Sequence, residues 1–208
     1  SLDSPASRHL APLEPGRLIR YDTKAASVEL IDIASGTLTS VGTIPEGDRG
    51  TTFQMFAAAD RERVYFVVNT RRHTQVMNEQ MACLPISGRV FAFDRNGGGL
   101  VWRRELSQQS LVLERFGNSP VLLFAARRFE QRGKFPNWLF YLDVWDKQTG
   151  SVLYSQSWVS NGGYRNLIYE PGRKTLELRS YSDRVRLGPV PVEATAVAPA
   201  VNPVPPAR

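Results

Sequence analysis

The chain has 208 residues, 42% of them hydrophobic, and a formal net charge of +6. That apolar content suffices for one sizeable core or for part of a larger one. The lone cysteine, Cys83, excludes an intrachain disulfide, and with His9 and His73 as the only histidines the usual zinc ligand set is missing. No apolar run approaches the roughly 20 residues that cross a bilayer as a helix. Arginine supplies 22 of the 26 basic residues. Such a balance permits an acidic protein, nucleic acid or an anionic surface as partner and selects none of them.

In chain order, residues 1–16 are polar and proline-containing, and are expected to form a flexible entry segment. "RLIRYD" (17–22) and "SVELIDIASGTLTSVGTI" (27–44) follow as a partial unit of strands. Two four-stranded units are then expected over about 51–106 and 110–158. Their strands include "VYFVVNT" (64–70), "RVFAFD" (89–94), "PVLLFAA" (120–126) and "WLFYLDVWD" (138–146), all rich in β-branched and aromatic residues. "HTQVMNEQMACL" (73–84) is expected to hold a helical turn or two inside a loop. "RNLIYEP" and "TLELRSYSDRVRL" close the strand region over about 165–187. Residues 189–208, rich in proline, alanine and valine, are expected to be an extended or disordered tail, because proline donates no backbone hydrogen bond.

One turn repeats. Asp94 and Gly98 stand four apart in "FAFDRNGGGLVWRRE", with Trp102 four further on. Asp bonds its own backbone and Gly supplies positive φ, so the stretch reads as a tight hairpin. Asp32 and Gly36 repeat the pair, as do Asp146 and Gly150, with Ser40 and Tyr154 in the register of Trp102. The three copies lie 62 and 52 residues apart. A four-stranded unit at that interval is the signature of a β-propeller. The expected fold is therefore all-β, with four-stranded antiparallel blades over residues 17–188. About three blades' worth of strands is present, fewer than the four to eight that close a ring. The chain is thus expected to be part of a larger propeller, or to pair through exposed strand edges with itself or another copy.

The spacing Ala-x-Asp-x-x-x-Gly-x-x-x-Trp, met by Ala92, Asp94, Gly98 and Trp102, resembles the repeat of the pyrroloquinoline-quinone-like, quinoprotein-type β-propeller superfamily. The resemblance implies that Trp102 docks between neighbouring blades and that Asp and Gly build the turn between third and fourth strands. It also covers outer-membrane assembly scaffolds that bind no cofactor, and so implies a periplasmic or cell-envelope setting.

A quinone-dependent dehydrogenase of this superfamily would hold its quinone with calcium, a catalytic Asp and, in many members, a vicinal disulfide. Cys83 alone cannot make that disulfide, and no acidic cluster resembles a calcium site. Asp94 and Asp146 are expected to be turn residues. Hydrolysis would need a base beside a nucleophile; His9 falls in the expected flexible entry, and His73, in a long loop beside Arg71 and Arg72, is next to no nucleophile motif. No catalytic residue, metal or cofactor is assigned.

The favoured function is a non-catalytic scaffold that binds through two long basic loops, 70–88 and 127–137, which interrupt successive blades between their second and third strands. Arg71, Arg72, Arg127, Arg128, Arg132 and Lys134 would supply charge. Phe129, Phe135, Met77 and Met81 would supply apolar contact. The expected partner is a protein with an acidic surface. A fragment of a quinone-dependent dehydrogenase is the alternative. Nucleic-acid or other anionic-ligand binding through the same arginines is a second one, although no nucleic-acid motif is recognisable.

Overall fold

Short apolar runs punctuated by Asp and Gly turns build strands. The structure is a computed structural model and describes residues 8–49, 51–73, 82–132, 135–159, 166–170, 172–173, 175–179 and 184–188. The strands are β1 (Arg8–Glu14), β2 (Arg17–Asp22), β3 (Ser27–Asp32), β4 (Leu38–Thr43), β5 (Gln54–Ala59), β6 (Arg63–Asn69) and β7 (Cys83–Asp94). They continue as β8 (Leu100–Val112), β9 (Val121–Arg132), β10 (Phe135–Asp146), β11 (Val152–Val159), β12 (Asn166–Glu170), β13 (Thr175–Arg179) and β14 (Arg184–Leu187). One 3-10 turn, Glu46–Asp48, is the only helical element among the described residues, and no helix there is long and apolar enough to cross a membrane.

The protein is all-β. Its strands form three antiparallel sheets in the orders β1-β2-β3-β4, β11-β10-β9-β8-β7-β6-β5 and β12-β13-β14. The seven-stranded sheet is two units sharing one long strand. Residues 100–106 of β8 pair with β7, while Ser110 and Leu111 pair with Ala125 and Phe124 of β9. The boundary between the two expected units, about 106–110, falls inside one continuous strand. Gln108 takes a φ of +52° there, opposite a bulge between Ile86 and Gly88, so the strand bends without breaking its pairing.

Residues 8–14, expected in the flexible entry, are strand β1. Every β1 residue from Arg8 to Pro12 pairs with β2, and Ala11 is buried. His9 sits on this strand opposite Tyr21. The remaining entry residues, most of the segment expected to be helical (74–81) and the proline-rich tail lie outside the described residues. Cys83 and Leu84 from the end of that segment belong to β7.

The units stack face to face, as blades do. Ile19, Tyr21 and Val28 of the first sheet pack on Phe66, Phe91 and Phe93. The opposite face of the same strands, with Tyr65, Val90 and Trp102, packs on Leu122, Phe124 and Trp145. Phe140 and Leu142 then meet Leu167 and Leu178 of the last sheet. Both faces of β6 are covered, which explains its unbroken run of apolar residues: in a middle blade, alternation has no solvent side to report.

The three Asp–Gly turns share one geometry. Gly36, Gly98 and Gly150 have φ of +67°, +68° and +66°. The amide three residues after each Asp donates to its Oδ1: Ser35 at 3.0 Å, Gly97 at 2.8 Å and Thr149 at 2.7 Å. These amides hold the Asp32 and Asp94 carboxyls below the usual aspartate range. The third position of the pattern belongs to the seam between blades. A Cβ on Gly150 would stand 2.6 Å from the Trp102 ring, and one on Gly98 would stand 3.4 Å from the Val41 carbonyl oxygen. Each glycine therefore receives the fourth strand of the preceding repeat.

This separates two costs. Gly36→Ala meets no neighbour and suffers only its φ, so it should lose about 1 kcal/mol of unfolding free energy. Gly150→Ala adds the collision with Trp102 and should lose about 2–4 kcal/mol. Urea denaturation of the two variants checks the difference.

Candidate functional site

Strand direction divides the molecule into two rims. Val121 at the start of β9 pairs with Asp146 at the end of β10, and Lys147 just beyond reaches Asp60 beside the start of β6. The second strands of both units thus start on one rim and run to the other. The exit of β6 and the β9–β10 hairpin share that far rim.

The β6 exit is clamped. Asn69 is fully buried; its Nδ2 donates to the Pro85 carbonyl at 2.9 Å and its Oδ1 accepts the Ser87 amide at 2.7 Å. Gly88 crosses so close that a Cβ would lie 2.1 Å from the Val68 carbonyl oxygen. Arg71 and Arg72 emerge from this clamp with exposed side chains. Gln108 Nε2 donates to the Arg72 carbonyl at 3.0 Å and to Ser87 Oγ at 3.2 Å. Arg128 donates to the Ser107 carbonyl at 2.9 Å. The bend in β8 therefore ties the β6 exit to the hairpin.

The second expected loop, 127–137, is corrected to a β-hairpin. Pairing runs without interruption from Asp146–Val121 out to Phe135–Arg132. The backbone ladder needs no apolar side chains, so a charged sequence extends it freely. Residues 83–88 of the first expected loop are likewise strand, in β7.

Alternation splits the hairpin's side chains. On one face Phe129 is 59% exposed and stands opposite Trp138, 42% exposed, with ring centroids 5.2 Å apart. The Arg127 guanidinium lies over the Trp138 ring at 4.4 Å. On the other face the Arg128 guanidinium covers Tyr141 at 4.7 Å, and the Tyr141 hydroxyl donates to Glu130 at 2.7 Å. The hairpin thus contributes a carboxylate to the basic patch, and Arg127 and Arg128 are stacked on rings, whereas Arg71 and Arg72 at the β6 exit are exposed. Arg132 and Phe135 end the two strands and pair with each other, while Lys134, Met77 and Met81 lie outside the described residues.

The near rim holds a cluster that sequence reasoning missed. Lys147 is buried, and its ammonium contacts Asp60 Oδ2 at 2.9 Å, the Phe116 carbonyl and the face of the Phe116 ring. The Tyr65 hydroxyl donates to Asp60 at 3.3 Å. Burial pushes the Asp60 carboxyl up, but the Lys147 ammonium and the Glu62 and Arg63 amides outweigh it and hold it below its ordinary 3.8. Burial drives the Tyr65 phenol upward. A cavity of about 340 Å³ opens beside these groups, with Arg63, Ser119 and Gln148 in its wall. The Lys147 amine is committed to three partners and is no free nucleophile. The cluster acts as a clamp. Trp102 Nε1 donates to the Lys147 carbonyl at 2.9 Å and completes it.

Cys83 is half-buried against the second unit's core, where burial raises its thiol pKa. It behaves as a small apolar residue. No group of three or more metal-ligating side chains occurs among the described residues.

No family model matches the chain, and no curated protein matches it. Among solved structures, the crystal structure of BamB from Moraxella catarrhalis is similar over 87% of this chain and 76% of that one, at 10% sequence identity and a TM-score of 0.23.

Lys147→Met strands the Asp60 carboxylate in the seam and should lower stability by about 3–5 kcal/mol. Pairing it with Asp60→Leu should restore most of the loss. In the native protein Asp60 titrates below its unfolded value of 3.8, so its contribution is present above that pH and is lost as pH falls through the depressed value. Thermal melts from pH 6 downward, native against the double variant, check this; equal acid sensitivity would refute it.

Proposed function

We propose that this chain is a propeller-type protein-interaction scaffold without catalytic activity, and that its partner docks on the far rim at the β9–β10 hairpin. The observation that carries the proposal is the Phe129–Trp138 pair. Two large aromatic rings stand exposed, side by side, on a hairpin whose base is held by packed strands. Exposed aromatics beside arginines are the composition of binding hot spots, since a rigid ring supplies contact area at little cost in conformational entropy.

The arginines specify the partner. Arg71 and Arg72 are exposed, and Arg127 is held on the Trp138 ring, so an apolar centre is bordered by positive charge. A protein with an apolar anchor inside an acidic rim is complementary to it. Charge at such a border chiefly raises association rate and selects partners.

The test is affinity capture from the native cells with the chain as bait, followed by titration of the captured protein. Phe129→Ser with Trp138→Ser should cut affinity by about a hundredfold or more. Converting Arg71, Arg72, Arg127 and Arg128 to Gln should slow association and flatten its salt dependence. Undiminished affinity in the aromatic variant, with its melting temperature unchanged, would sink the proposal. Nucleic acid in the captured material, with a steep loss of binding in salt, would favour the polyanion alternative.

A further inference from the structure

Alternation gives the first sheet two faces. Ile19, Tyr21 and Val28 fill the seam with the second unit. The other face is laid out in rows by the register of the four strands. Pro12, Leu18, Ile31 and Leu38 stand side by side in one row, and Leu10, Arg20, Glu29 and Ser40 in the next. Leu10 is 60% exposed and Leu38 48% exposed. None of Leu10, Leu18, Ile31 and Leu38 joins any of the three apolar cores formed by the described residues.

The charges of this face are balanced within it. Arg20 Nε and Nη2 both reach Glu29 Oε2, and Arg8 Nε lies 3.3 Å from Asp22 Oδ2. The chain as a whole carries +6, but two copies meeting here would bring no net charge from these pairs together. The rows are also self-complementary. A two-fold axis along the strands, between β2 and β3, reverses the order of each row. It sets Arg20 against Glu29 of the other copy and Glu29 against its Arg20, Leu18 against its Ile31, and Pro12 against its Leu38. Such an axis keeps the strands of the two sheets nearly aligned, as face-to-face sheets pack.

We propose that this face pairs two copies of the chain, first sheet on first sheet, about that axis. The inference uses none of the hairpin's residues and is independent of the docking reading. Four strands about 4.8 Å apart and about five residues long give a face of roughly 20 by 17 Å. That is smaller than the standard interface of about 800 Å² a side, so the dimer should be reversible, with a dissociation constant on the order of 10 µM.

The experiment is sedimentation equilibrium of the whole chain, from about 1 to 300 µM, a range that brackets the expected constant. Native chain should pass from monomer to dimer. Leu10→Ser with Leu38→Ser alters two exposed side chains, so the fold should stand while dissociation rises at least about tenfold. Arg20→Glu and Glu29→Arg, each alone, should dimerise poorly, and an equal mixture of the two should form a mixed dimer. Phe129→Ser with Trp138→Ser should leave the dimer intact. Melting curves establish that each variant is folded. A native chain that stays monomeric overturns the proposal, as does undiminished pairing in the leucine variant or loss of the dimer in the hairpin variant. Failure of the two folded charge variants to pair on mixing also overturns it; should either not fold, the leucine variant decides alone. A dimer that persists when the hairpin's partner no longer binds would leave this inference standing.

Discussion

The contact of the Trp102 ring with Gly150 holds the architecture together. The indole occupies the space that a β-carbon would take, and only glycine allows that approach. Its Nε1 donates to the Lys147 carbonyl, and the same residue's ammonium reaches Asp60. One side chain from the fourth strand of one unit thus meets the third turn of the next, and that turn is bolted to the first turn of the unit before. Twisted sheets can pack at a range of angles. This combination of close approach, directional hydrogen bond and buried ion pair selects one.

From that seam the rest follows in order. Because the near-rim turns are locked together, β6 and β9 leave in the same sense and end on the same far rim. The bend at Gln108 lets β8 serve both units; the Gln108 amide holds the β6 exit, and the neighbouring Ser107 carbonyl accepts from Arg128 of the hairpin. A partner meeting Phe129 and Trp138 therefore meets rings whose strands are anchored in a core, with little backbone freedom to lose. The fold concentrates apolar burial at the seams and leaves its exposed aromatic pair at the rim.

The repeat was legible because its causes are local. Asp bonding its own turn and Gly at positive φ act within five residues, and all three copies adopt the same geometry. The hairpin at 127–137 was not legible as a strand pair. Arginine, glutamate and glutamine resemble a solvated loop, but the ladder is made by backbone and extends as far as twist permits. Strand β1 was hidden in the same way by proline and charge; its pairing with β2 and the burial of Ala11 make it a strand. Lys147 was hardest to foresee. In "DKQTG" it looks like an exposed turn residue, and its carboxylate partner lies 87 residues earlier in the chain.

The sequence by itself determined that this protein is made of strands and where its Asp–Gly turns fall. Those properties depend on backbone conformation and on side-chain alternation over a few neighbouring residues. Only the tertiary structure decided that Lys147 is buried, that Arg127 is stacked on Trp138, and that Arg89 and Arg103 converge on Asp48. Each of these joins residues through packing between strands or sheets, and whether a charge is solvated, stacked or buried depends on what the rest of the chain brings against it.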